Sequence, residues 1–145
     1  MMTIMTWGVE TLGLYLHLAR AAERRSRPLV RDRMLLMGAV IASRLNLSPV
    51  AAYCRHRVLQ HNPGHMVARW PTIEAALDQD DFLIWLKQLT RKYGPEVAEQ
   101  WADTLGIVRK GERATYFSDG EYAAAVLGMG WDDMQAQFGP ADAQS

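Results

Sequence analysis

Apolar residues recur at spacings of three and four along almost the whole chain, which is the period of an α-helix. Between Trp7 and Arg25 the apolar positions Leu12, Tyr15, Leu16, Ala19 and Ala22 follow this rhythm, with no proline to interrupt it. The segment "RRSRP" then breaks the pattern, and Pro28 suits the first position of a second helix. There Val30, Met34, Met37, Ile41 and Leu45 form the cleanest stripe in the sequence, with Arg27, Arg31, Arg33 and Arg44 mostly off it. Ser48-Pro49 reads as the N-cap and first residue of a third helix, which Asn62-Pro63-Gly64 ends.

The second half repeats the style. Pro71-Thr72 opens a short helix through Leu77, and Asp80 or Asp81 caps the next. That helix carries Phe82, Leu86, Leu89 and Tyr93 on one face and stops at Gly94. Pro95-Glu96 starts another, with Val97, Trp101 and Leu105 inward and Gly106 past its end. "SDGE" at Ser118–Glu121 has the form of a capping box for a helix through Leu127. Only Ile107–Phe117 lacks helical period, and it is expected as a loop or a short β-hairpin. The pattern predicts an all-α fold of five to seven helices in one domain over residues 1–139, followed by a disordered tail over 140–145.

Composition narrows the class. The 145 residues are 49% apolar and 22% charged, the balance of a folded domain with a real core. One cysteine excludes an internal disulfide. The longest uncharged apolar run, Met34 to Ser43, is ten residues, against about 20 for a membrane span. "MMTIMTWGVE" has no basic region ahead of its apolar segment, so a signal peptide is not expected, and the chain reads as a cytoplasmic protein without a membrane partner.

The net charge of zero conceals a polarity. Residues 1–70 hold ten Lys/Arg against three Asp/Glu, a balance of +7, while residues 71–145 hold six against thirteen, a balance of −7. Thirteen of the sixteen basic residues are arginine, which favours bidentate contacts to carboxylate or phosphate. Either the halves pack together and their fields partly cancel, or copies associate with opposite ends facing, or the basic half meets a polyanion.

The segment "CRHRVLQHNPGHMVARW" (Cys54–Trp70) holds the single cysteine and three of the four histidines. On a helix, Cys54 and His61 share a face but stand roughly 10.5 Å apart along the axis, too far for one zinc ion. His56 points about 200° away from Cys54, which also removes a nucleophile–base pair. Pro63-Gly64 separates His61 from His65. No metal, cofactor or catalytic residue is assigned. Cys54 falls on the apolar arc with Val50, Ala51 and Val58, as a small buried hydrophobe. The opposite side carries Tyr53, His56, Arg57, Gln60 and His61, a surface able to contact phosphate or an acidic partner.

"IASRLNLSPVAAYCRHRVL" (Ile41–Leu59) resembles the helix-turn-helix of bacterial regulators and sigma factors. The matching positions are Ala42, Leu45, Asn46, Leu47 and the cap Ser48. The resemblance implies that Pro49–Leu59 is a recognition helix lying in the major groove. Where such helices carry apolar packing residues, this chain has Ala52 and Arg55.

Walker, dinucleotide and G-x-S-x-G patterns are absent from the sequence, and "DQDD" (Asp78–Asp81) fails as a calcium loop because Phe82 follows. The expected function is a non-enzymatic helical binding or adaptor module, with a protein partner or self-association favoured. Its binding residues are Arg55, His56, Arg57, His61, His65, Arg69 and Trp70. A helix-turn-helix nucleic-acid binder is the second reading, and acid–base chemistry at His61 and His65 the third.

Overall fold

The computed structural model describes residues 7–140. It is all-helical, with eight α-helices: α1 (Val9–Arg24), α2 (Pro28–Arg44), α3 (Ser48–His61), α4 (Ile73–Ala76), α5 (Asp80–Tyr93), α6 (Pro95–Thr104), α7 (Asp119–Val126) and α8 (Trp131–Phe138). Two 3₁₀ turns, Met66–Arg69 and Arg113–Thr115, complete it. The seven helices read from the apolar pattern are joined by α8, whose short apolar set the pattern does not reveal. No helix among the described residues is long and apolar enough to cross a membrane.

The helix α2 is the axis of the domain. It packs against α1 on one side and α3 on the other, with α4 closing over part of it. Every residue from Met34 to Ala42 is buried, so the stripe at Met34, Met37 and Ile41 belongs to a helix enclosed all round. The arginines expected off the stripe sit at its ends, where the chain reaches solvent. The ends of α1 and α3 and the start of α2 share one end of the bundle, because Glu23, Arg31, Asp32, Arg57 and His61 meet there.

Four helices end by the same device. After α1, α2, α6 and α7 the chain turns through a residue with positive φ: Ser26 (57°), Asn46 (62°), Gly106 (71°) and Gly128 (80°). In each case the next residue's N–H returns to a carbonyl in the last turn, as Arg27 to Ala22 and Leu47 to Ala42. This is the Schellman closure, which satisfies carbonyls a helix end would leave unpaired. It makes the α1–α2 and α2–α3 links three residues long and forces adjacent helices to fold back on one another.

Several boundaries shift from the sequence expectation. The first helix begins at Val9 rather than Trp7. Ser48 lies inside α3, with Leu47 at the cap position and no side-chain cap bond. At α5 the cap position is Gln79, with Asp80 and Asp81 in the first turn, where carboxylates favour the helix dipole. The capping box forms as read: Ser118 Oγ accepts from the Glu121 N–H, and the Glu121 carboxylate reaches back to the Phe117 N–H, both at 3.1 Å. Ile107–Phe117 forms a loop with one 3₁₀ turn, and no strand occurs among the described residues. Local bonds from Glu112 N–H to the Arg109 carbonyl and from Tyr116 N–H to the Arg113 carbonyl take the place of a strand ladder there. Of the expected tail, residues 141–145 lie outside the described residues.

Candidate functional site

The seven expected binding residues, four on α3 and three beyond its end, meet three different neighbours. Arg57 and His61, four residues apart, turn toward the α1–α2 hairpin. The Arg57 guanidinium donates to the Tyr53 hydroxyl at 2.8 Å and to the Glu23 carboxylate at 2.7 Å. Burial works against its charge, and the bonds to Tyr53 and Glu23 outweigh that, so its pKa is raised. His61 Nδ1 lies 2.5 Å from the Asp32 carboxylate, which Arg31 also holds at 3.1 Å. Asp32 is the one buried charged side chain among the described residues, 4% exposed, so this pairing is what makes its burial tolerable.

Arg55 leaves the helix on another side and donates to the Trp70 carbonyl at 2.8 Å. Its Nε is buried without a partner, and burial lowers its pKa. Trp70 is half-buried edge-on to Phe82, and exposed Arg69 reaches only to Asp81, at 3.8 Å. His65 is seated against Trp85 and accepts the Val67 N–H on Nδ1. Burial lowers its pKa, with the Asp32 carboxylate pulling the other way. His56 is turned toward α8, where Phe138 lies against both His56 and Tyr53, 5.3 Å from each ring. The expected binding residues are therefore divided: Arg57 and His61 join the bundle end, Arg55, His65, Arg69 and Trp70 join the α4–α5 side, and His56 lies under α8.

The Cys54 thiol is fully buried, and burial pushes its pKa up to about 12. It shares no site with any histidine. Among the described residues no group of three or more His, Cys, Asp or Glu is placed to hold a metal ion.

Around the bundle end, ionic groups fall into two classes. Arg31 and Arg57 are fixed by Glu23 and Asp32. Arg24, Arg25 and Arg27, where α1 turns into α2, are exposed, and their guanidinium groups have no hydrogen-bond or ion-pair partner among the described residues. Beside them Leu29 is 61% exposed. The acidic half does not neutralise this end. Of the eight ion pairs among the described residues, only His17–Glu112 and Arg69–Asp81 link the two halves of the sequence. In the sequence this turn is "RRSRP", which breaks the apolar pattern, and its signal is three arginines within four residues.

A second polar seam lies on α1, where Glu10, Gly13, His17 and Arg20 follow helical spacing on the side away from α2. His17 Nε2 meets the Glu112 carboxylate at 2.7 Å, and Glu112 also bonds the Tyr122 hydroxyl. A Cβ on Gly13 would lie 1.9 Å from that hydroxyl, so glycine is what allows Tyr122 to approach. Burial raises the Tyr122 pKa well beyond its ordinary value. Tyr122 also lines an open cleft of about 750 Å³ with Glu10, Asp103, Ile107 and Lys110. Apolar periodicity could not find this seam, since its four members are the interruptions in that pattern.

No protein-family model, no curated protein and no solved structure matches this chain.

Proposed function

We propose that this chain is a non-enzymatic binding module that takes an acidic protein segment at the basic end of the α1–α2–α3 bundle. The observation carrying this reading is the contrast among arginines there. Arg31 and Arg57 are held in place by Glu23 and Asp32, while Arg24, Arg25 and Arg27 stand free beside exposed Leu29. Free guanidinium groups on a short turn with a hydrogen-bonded backbone offer charge-assisted bonds to carboxylates. His61, anchored through Nδ1, has Nε2 without a partner among the described residues and adds a donor or acceptor at the margin. Arg55 and His56 contribute to holding α3 against its neighbours, while His65, Arg69 and Trp70 lie against α5.

Nucleic acid is the second reading. The three-residue link with Asn46 in the left-handed region suits the helix-turn-helix resemblance. A recognition helix must also present a clear face to the major groove, and Phe138 occupies that face at Tyr53 and His56.

The test compares wild type with Arg24→Gln/Arg25→Gln/Arg27→Gln for binding a labelled polyglutamate peptide, with Arg69→Gln as control. The reading expects binding to the wild type and to the Arg69 variant and loss in the triple variant. Equal binding by all three would remove the bundle end as the site.

A further inference from the structure

The open cleft of about 750 Å³ lies between the first turn of α1, the second half of α6 and the loop 107–114, with buried Tyr122 at its floor. Its volume is that of a small-molecule site. The loop wall has no helical period to hold it, and ion pairs hold it instead. Arg109 is fixed by the Glu99 carboxylate at 2.6 Å, Glu112 by His17 at 2.7 Å and Arg113 by Asp119 at 2.7 Å. One loop is thus tied to α6, α1 and α7. The Tyr122 hydroxyl donates to Glu112 and stays protonated, through burial first and that carboxylate second. The cleft is therefore formed before anything enters it, which lowers the cost of binding.

Against these fixed pairs, three charged lining residues have no hydrogen-bond or ion-pair partner among the described residues: Glu10 on α1, Asp103 on α6 and Lys110 on the loop. They come from three different walls. Beside them Ile107, Ala114 and Val108, the last 82% exposed, add apolar surface. Two free carboxylates alone would suit any cation. The free ammonium of Lys110 narrows the choice, because it repels a simple cation and favours a ligand that also carries an anionic group. Among the described residues no group of three or more His, Cys, Asp or Glu is placed to hold a metal ion. The complementary occupant has two cationic groups, one anionic group and an aliphatic stem.

We propose that the cleft binds a free basic amino acid of the lysine type. Its two ammonium groups meet Glu10 and Asp103, and its carboxylate meets Lys110. Its methylene stem lies along Ile107 and Val108 and covers part of their exposed apolar surface. Two carboxylates and one ammonium leave a charge of −1 in the cleft, which the net positive charge of such a ligand cancels. Each contact is exposed and weak, so specificity comes from the three together.

Calorimetric titration of the full chain with L-lysine up to about 10 mM tests this. The wild type should bind lysine saturably. Glu10→Gln and Asp103→Asn, both at exposed side chains, should each weaken binding about threefold to fivefold, the worth of an exposed ion pair, with unfolding unchanged. Lys110→Glu should weaken lysine binding and strengthen binding of cadaverine, which is lysine without its carboxylate. Nα-acetyl-lysine, lacking the α-ammonium as a lysine inside a peptide does, should bind more weakly than the free amino acid. The triple arginine variant should bind lysine as the wild type does, which separates this proposal from the bundle-end reading. No saturation by lysine, binding indifferent to Glu10→Gln and Asp103→Asn, or Lys110→Glu moving lysine and cadaverine the same way overturns the proposal. Tighter binding of Nα-acetyl-lysine than of lysine also overturns it, in favour of a lysine carried by a peptide.

Discussion

His61 Nδ1 and the Asp32 carboxylate lie 2.5 Å apart and tie the end of α3 to the first turns of α2. Asp32 is buried, and its other partner is Arg31 of its own helix. Removing the carboxylate leaves the Arg31 guanidinium and the His61 ring facing a gap. Asp32→Ala should cost about 3 kcal/mol, in the range for one half of a buried pair. His61→Ala should cost less, about 1 kcal/mol, because Arg31 still satisfies Asp32. The double variant should fall short of the sum, and urea unfolding of all four proteins checks the coupling.

His65 gives the chain a pH dependence of known sign. Burial holds its pKa below the ordinary 6.5, against the pull of Asp32. The unfolded chain therefore takes up a proton that the folded chain resists. This contribution is at its full value above about pH 6.5 and is lost as pH falls through that value toward the folded pKa. His65→Asn retains an acceptor for the Val67 N–H and should flatten the decline in stability below pH 6.5, measured by denaturant midpoints across pH.

Ser26 occupies a left-handed conformation that glycine adopts freely. Because Ser26 is exposed and its backbone closes α1, Ser26→Gly should raise stability by about 0.5–1 kcal/mol, seen as a higher unfolding midpoint.

At Gly13 the opposite substitution fails. Alanine ordinarily favours a helix interior by about 1 kcal/mol over glycine. Here its Cβ would meet the Tyr122 hydroxyl. Gly13→Ala should therefore be destabilising by about 1–3 kcal/mol, the usual cost of overpacking, with thermal unfolding as the readout.

Cys54 should be unreactive toward a thiol reagent at pH 8 in the folded protein and react fully in urea. Its burial both blocks access and keeps the thiol protonated.

The helices were legible because burial writes a 3.6-residue period into Met34, Met37 and Ile41 or Phe82, Leu86 and Leu89. The enclosure of α2 was not, since a helix buried all round has no polar face to contrast with its stripe. The pairing of Arg57 and His61 could be read as an i, i+4 relation on α3. Their orientation toward Glu23 and Asp32 depends on the two Schellman turns, one of which uses a serine in place of the usual glycine. His17, Glu112 and Tyr122 lie far apart in sequence and meet only because α7 crosses α1 at Gly13. The position of α8 over His56 rests on Phe138 and on buried Met134, too few apolar positions to write a helical period into the sequence.

The most direct measurement of the central claim is binding of the wild-type chain to polyglutamate peptide and to mixed-sequence duplex DNA at about 50 mM and about 200 mM salt, a range over which contacts between exposed charges weaken. The bundle-end account predicts peptide binding that falls as salt rises and exceeds binding to DNA. Absence of peptide binding at the lower salt would contradict it, and DNA binding with a steep salt dependence would instead support the nucleic-acid reading.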